Sequence, residues 1–213
     1  MIKLLVATHN LGKIREYKAL LADLPLMVTW LDAEGITQDV EETGATFAEN
    51  ALLKAQAYSA MTGLWTWADD SGLEVDALGG RPGVYSARFA GPNATDQDRY
   101  LRLLSNLHTY PPPWTARFRC VVAIVTPAGA LHLADGALEG VITDQPAGSH
   151  GFGYDPVFFL PERGITLAEC PPEIKNTISH RAIAATHARS ILGQLLANED
   201  NPRVESTDKW HYN

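Results

Sequence analysis

The chain has 213 residues, of which 46% are hydrophobic and 20% charged. That length suits one large domain or two closely joined lobes, and that much apolar material excludes wholesale disorder. With 17 basic and 25 acidic residues the formal net charge is −8, which argues against gripping DNA or RNA through many phosphates. A small anionic ligand stays compatible, because a few local cations and a metal can overcome the global field. The two cysteines, Cys120 and Cys170, have no metal-type spacing and read as reduced thiols. No apolar run approaches membrane-spanning length, and residues 2–7 are too short for a signal-peptide core. A soluble cytoplasmic protein is expected, with no membrane and no nucleic-acid partner.

Residues 2–7 are nearly all apolar, as in a strand buried on both faces. A turn follows, and residues 13–24 show helical spacing through Ile14, Tyr17, Leu20 and Leu21. Residues 27–30 predict a second strand, and the acidic stretch 32–45 a loop. Thr46-Phe47-Ala48-Glu49 fits a capping box opening a helix to Thr62, where Gly63 stops it. The Trp-rich residues 64–68 predict a strand, with Asp69-Asp70-Ser71-Gly72 as the turn at its carboxyl end. Gly79-Gly80-Arg81-Pro82-Gly83 is a loop, and Thr95-Asp96-Gln97-Asp98 opens a helix ending near Leu107. Pro111-Pro112-Pro113 is a stiff connector. Residues 115–126 and 130–138 predict a β-hairpin around Pro127-Ala128-Gly129. Residues 141–143 and 157–160 predict short strands, and Ser179 opens a closing helix to Asn198. The expected fold class is α/β with a mixed sheet.

Thr8-His9-Asn10-Leu11-Gly12-Lys13 joins the first strand to the first helix. It is not a P-loop: Ala7 stands where that motif needs its first glycine, and Ile14 follows the lysine where it needs Ser or Thr. What survives is a helix N-terminus with free amides, a glycine that admits a close ligand, and the charge of Lys13. A tight turn with a solvated lysine is the other reading of the same residues. Glu41-Glu42 and Asp69-Asp70 are pairs of hard oxygen donors separated by one helix and one strand. Mg²⁺ is commonly held by one or two carboxylates plus substrate phosphates. Acids after an apolar strand stand where open α/β sheets place their sites. Ser71 has no Gly-x-Ser-x-Gly elbow around it and is not read as a nucleophile. Glu49 is accounted for by the capping box. Asn50 and Lys54 share a helix face, and Lys54 either points at phosphate or lies on the surface.

Gly151-Phe152-Gly153-Tyr154-Asp155 offers an aromatic ring between glycines. Stacked on a base, such a ring is worth roughly 1–3 kcal/mol whatever the base. Identity then falls to polar groups. His180 and Arg181 can donate to the 6-oxo group and N7 of hypoxanthine, xanthine or guanine, whereas adenine would meet them with its own donor. Their alternative is the exposed first turn of a helix capped by Ser179. His9, His108, His132, His187 and His211 form no metal motif.

Residues 7–13, 41–51 with 54–55, 68–73, 82–91, 151–156 and 179–181, taken in that order, resemble the inosine triphosphate pyrophosphatase (Ham1-like) family. The resemblance implies an elongated two-lobed α/β fold over residues 1–198, with residues 199–213 as a polar C-terminal tail. It implies a homodimer that uses Mg²⁺ to hydrolyse ITP, dITP and XTP to the monophosphate and pyrophosphate. Carried over by position, it implies Thr8, His9, Asn10, Leu11, Gly12 and Lys13 as holders of phosphate, with Lys54 and Ser71 on the phosphate chain. Glu41 and Asp70 are implied as metal ligands, and Asp70 also as the group that activates water. Phe152 is implied to stack on the base with Gly153 and Tyr154 beside it, while Asp155, Lys175, His180 and Arg181 define the base edge. Two rival readings are a Maf-like pyrophosphatase acting on pyrimidine or modified nucleotides, and a nucleotide sensor without turnover.

Overall fold

The structure, a computed structural model, describes residues 1–200, with backbone only for 198–200. Residues 201–213 of the expected tail lie outside the described residues, and the backbone of 199 and 200 continues the last helix. Seven strands form one sheet in the order β2-β1-β3-β4-β5-β6-β7. Strand β1 (Ile2–Val6) lies parallel to β2 (Leu26–Trp30) and to β3 (Trp65–Val75). Antiparallel pairing then adds β4 (Trp114–Val125), β5 (Leu131–Ile142), β6 (Phe158–Leu160) and β7 (Ile165–Thr166). The mixed sheet agrees with the expected α/β class.

Strands β3, β4 and β5 are long enough to run through two lobes. One half of them carries Trp65, Trp67, Val122 and Ile124, which pack with Tyr17 of α1 (Leu11–Leu20) and Ala188 of α5 (His180–Asp200). On the opposite face Ala68, Val121 and Ala123 pack under Phe47, Ala51 and Ala55 of α2 (Phe47–Thr62). The other half carries Leu73, Val75, Ala116 and Phe118 into a separate core with Leu103 and Leu107 of α3 (Asp96–Leu107) and Phe158 of β6. Residues 69–71 therefore stand at the junction of the lobes.

Local chemistry sets the helix starts. Thr46 Oγ1 accepts from Glu49 N at 3.2 Å while Glu49 accepts from Thr46 N at 3.3 Å, and Gly63 ends α2 in the left-handed region. Thr95 and Asp98 repeat the box at α3. Asn10 caps α1, which begins at Leu11 rather than residue 13 and ends at Leu20.

Two expectations are corrected. Residues 69–72 are not a turn, because β4 pairs with β3 without a break from Thr66↔Val125 to Val75↔Ala116. Asp-Asp-Ser-Gly carries turn residues, but long-range pairing with an apolar neighbour outweighs local preference. Residues 141–143 are not a separate strand, since β5 runs unbroken to Ile142. Helix α4 (Pro172–Ile178) and the two-residue β7 were not expected from the sequence.

Candidate active site

The site arises where β1 stops and β3 does not. The last pairing between them is Val6↔Trp67, after which Ala7 N donates to Trp67 O at 2.8 Å and the chain turns away. Further on, Leu73 N donates to Ser86 Oγ and Glu74 bridges to Pro82, but from Ala68 to Gly72 that edge of β3 has no strand partner among the described residues, beside the turn of residues 8–13. This is the carboxyl end of parallel strands, where open α/β sheets place ligands. A cleft of about 560 Å³ opens at this point and is lined from both lobes. Ligand sites span roughly 300–1,000 Å³.

Successive side chains of a strand point to opposite faces, so the two adjacent acids diverge. Asp69 turns toward α1 and α5, with Oδ2 at 2.9 Å from Lys13 Nζ and 3.6 Å from Arg181 Nη2. Burial pushes its carboxyl up, but Lys13, Arg181 and Lys54 outweigh burial and hold it well below the usual carboxylate range. Asp70 turns toward α2. Its Oδ2 accepts from Nδ2 of the buried Asn50 at 2.9 Å, and its Oδ1 accepts from Ser71 N at 2.8 Å. Burial pushes Asp70 above its ordinary value, against the pull of Lys54 and Lys13. The acid pair is thus one buried counter-ion, Asp69, and one carboxylate lining the cleft, Asp70.

Lys54 is not a surface lysine: its side chain is 12% exposed and donates to Glu42 and to Asp69 O at 2.7 Å. Burial works against its charge, but Asp70 and Glu42 outweigh burial and raise it above the ordinary value. Glu42 makes this contact, and Glu41 lines the same cleft. Among the described residues no cluster of three or more His, Cys, Asp or Glu side chains forms a ready-made metal cage. Asp70 and Glu41 are both carboxylates lining the cleft, and Mg²⁺ takes one or two carboxylates when phosphate supplies further oxygens.

The turn of residues 8–13 is ordered from within. Asn10 N donates to Thr8 Oγ1 at 3.1 Å, Asn10 Oδ1 accepts from Lys13 N at 3.0 Å, and His9 Nδ1 lies 2.8 Å from Asp32 Oδ1. Thr8, His9, Asn10 and Lys13 line the cleft. Leu11 and Gly12 do not: Leu11 is 64% exposed, and Gly12 makes room for another side chain. A Cβ at Gly12 would lie 2.7 Å from Cδ1 of Phe152, so its bareness seats the aromatic ring rather than a ligand. The Phe152 ring centroid lies 4.9 Å from Lys175 Nζ and 5.4 Å from Arg181 Cζ, within cation–π reach.

His180 and Arg181 are buried, not an exposed first turn. Helix α5 lies directly on β5 at Gly136, where a Cβ would come within 2.4 Å of His180 O and Ala184 N. The His180 ring stacks on Phe118 at 4.7 Å and 14°. Burial, then the charges of Arg181 and Lys175, hold its pKa well below the ordinary value and keep it neutral. Arg181 donates from Nη1 to Glu16 Oε2 at 2.5 Å and from Nη2 to Ser71 Oγ at 2.9 Å. Lys175 Nζ lies 2.9 Å from Glu16 Oε1 and donates to Asp155 Oδ2 at 2.5 Å. Asp155 Oδ2 also accepts from Phe152 N at 2.9 Å. Burial raises Asp155 against the opposing charge of Lys175. Tyr154 lines the cleft but sends its hydroxyl to Ser86 O at 2.9 Å. Nδ1 of His180 and Nε of Arg181 have no hydrogen-bond partner among the described residues, leaving two buried polar atoms at the cleft.

Sequence reasoning missed Glu16, which holds Lys175 and Arg181 together. The available signal was its place three residues after Lys13 on α1, which sets both on one helix face. It also gave Asn50 no role, though Asn50 orients Asp70.

The sequence profile of the Ham1 family matches residues 4–191. The chain belongs to the Ham1 family. It is 50% identical over 194 residues to a dITP/XTP pyrophosphatase of Geobacter sulfurreducens, covering 91% of this chain and 98% of that one. Its identity to the dITP/XTP pyrophosphatase of Bacillus subtilis is 44% over 193 residues, covering 90% and 98%. The structure of a Ham1 protein from Coxiella burnetii superposes with a TM-score of 0.83 at 40% identity, covering 91% of this chain and 100% of that one. A nucleoside-triphosphatase / dITP/XTP pyrophosphatase from Mycobacterium abscessus gives 0.70 at 39% identity, covering 91% and 99%. The two-lobed mixed sheet is thus the Ham1 fold.

Proposed function

We propose that this member of the Ham1 family hydrolyses dITP, ITP and XTP to the monophosphate and pyrophosphate, cleansing the nucleotide pool. One observation carries the reading: a single cleft has an aromatic, cationic end at Phe152, Lys175 and Arg181, and an acid–lysine end at Asp70 and Lys54. Phe152 serves as the stacking surface for the base. Lys175 and Arg181 can only donate, and a 6-oxo purine presents acceptors to such groups. The 6-amino group of adenine would leave buried donors unpaired, the arrangement that rejects a wrong substrate most strongly.

Lys13 and Lys54 offset charge on the triphosphate and on the leaving pyrophosphate. Asp70 takes the proton of the attacking water, with Asn50 and the Ser71 amide holding its carboxylate in place. Mg²⁺, held by Asp70, Glu41 and phosphate oxygens, would neutralise charge on the phosphate chain. Free, buried Cys120 and Cys170 support a reducing, cytoplasmic setting, and no described helix is long and apolar enough to cross a membrane. A homodimer is part of the proposal and is tested by sedimentation.

Asp70→Asn tests the chemistry. ITP turnover should fall about 10²–10⁴-fold, the contribution of a lost general base, with the melting curve retained. Turnover near the unmodified level would remove Asp70 from the reaction.

A further inference from the structure

The base loop has a tether from Asp96, a residue of the cleft lining given no role above. Gly151 and Gly153 sit at φ of 78° and 67°. Fixing a glycine costs more backbone entropy than fixing any other residue, so this loop needs restraint. Phe152 is restrained by packing on Gly12, but a Cβ at Gly153 would meet nothing within 4 Å. What holds the Gly153 backbone is a hydrogen bond. Its N–H donates to Oδ2 of Asp96, 57 positions away at the start of α3, at 2.8 Å. The other carboxylate oxygen, Oδ1, accepts from Arg99 Nη1 at 2.5 Å, and Arg99 Nε donates to Ala87 O at 2.7 Å. The Thr95–Asp98 capping box fixes the turn of helix from which Asp96 projects. Asp96 thus reaches the loop with both oxygens engaged and its rotamer set.

We propose that Asp96 is a positioning residue for base recognition, fixing the Phe152-Gly153 segment at the angle a purine needs for stacking. The proposal rests on the functional reading above. An acid in the first turn of a helix is ordinarily accounted for by the helix dipole, and that account gives Gly153 no part. Asp98 supplies the comparison, since it shares the turn and bonds Thr95 rather than the loop.

The test compares ITP kinetics and amide hydrogen exchange at Gly153, without nucleotide, in the unmodified protein and in Asp96→Ala, Asp96→Asn and Asp98→Ala. Asp96→Ala should raise KM about tenfold and change kcat less than about twofold, the effect of losing one charge-assisted hydrogen bond. Gly153 exchange should accelerate in the same variant. Asp96→Asn keeps an acceptor and should recover most of the KM, while Asp98→Ala, which loosens the turn but leaves the Asp96 carboxylate, should lower the melting temperature and raise KM by less than Asp96→Ala does. An unchanged or lowered KM in Asp96→Ala, an equal rise in Asp98→Ala, or unaltered Gly153 exchange overturns the proposal. Absence of ITP turnover in the unmodified protein would instead overturn the functional reading, and Gly153 exchange would still decide the tether.

Discussion

Asp69 and Asp70 carry the same side chain one position apart and do opposite work. Strand alternation sends Asp69 into a buried cluster with Lys13 and Arg181, where its charge is used up inside the protein. Asp70 faces Asn50 and the cleft, where a proton or a cation can reach it. His180 shows the same control of charge by surroundings. Burial and the neighbouring Arg181 and Lys175 keep the folded imidazole neutral, whereas the unfolded chain takes up that proton near pH 6.5. The unfolded state therefore binds more protons below that pH. The stability tied to this group is complete above about pH 6.5 and declines as pH falls, by up to about 1.4 kcal/mol per pH unit. His180→Gln should flatten that part of the stability curve in nucleotide- and metal-free protein. Denaturant unfolding between about pH 5 and pH 7.5 checks it, and parallel curves for the two proteins would contradict a neutral His180.

Arg181 acts between elements rather than at one position. It joins the start of α5 to Glu16 on α1 and to Ser71 on β3. Removing one member of a buried charge network leaves the others uncompensated, at a cost of about 3–5 kcal/mol. Arg181→Ala should therefore lose about that much unfolding free energy as well as its preference for ITP over ATP. A loss below about 1 kcal/mol, the scale of an exposed ion pair, would show that the network is weak. Elements governed by near neighbours were legible before folding. The capping boxes at Thr46 and Thr95, the stop at Gly63 and the hairpin around residues 127–129 all depend on contacts a few residues apart. The extension of β3 through Asp-Asp-Ser-Gly was not legible, because it depends on a partner strand some fifty residues on, as in Ser71↔Cys120. The burial of His180 and Arg181 was hidden for the same kind of reason, since it needs α5 to settle on Gly136.

Across the whole molecule, an acidic protein places six of its 17 lysines and arginines around one cleft. Lys13, Lys54, Lys175 and Arg181 are each paired with acids there, so in a chain of net charge −8 the cleft is not left as a bare field of negative charge. Most of the expected site residues meet in that cleft, because β1 ends where β3 continues and both lobes close on the gap. Order along the chain made the set recognisable, while the division of labour within it needed the fold: Glu16 as clasp, Asp69 as counter-ion, Gly12 as the seat of Phe152. The central claim is release of pyrophosphate from dITP, ITP and XTP. The most direct measurement incubates the protein with ITP, XTP, dITP, ATP and GTP, with and without Mg²⁺, and scores pyrophosphate and orthophosphate separately. Pyrophosphate from ITP, XTP and dITP alone, and only with the metal, is the predicted result. Orthophosphate as the product, or equal turnover of ATP, would contradict it.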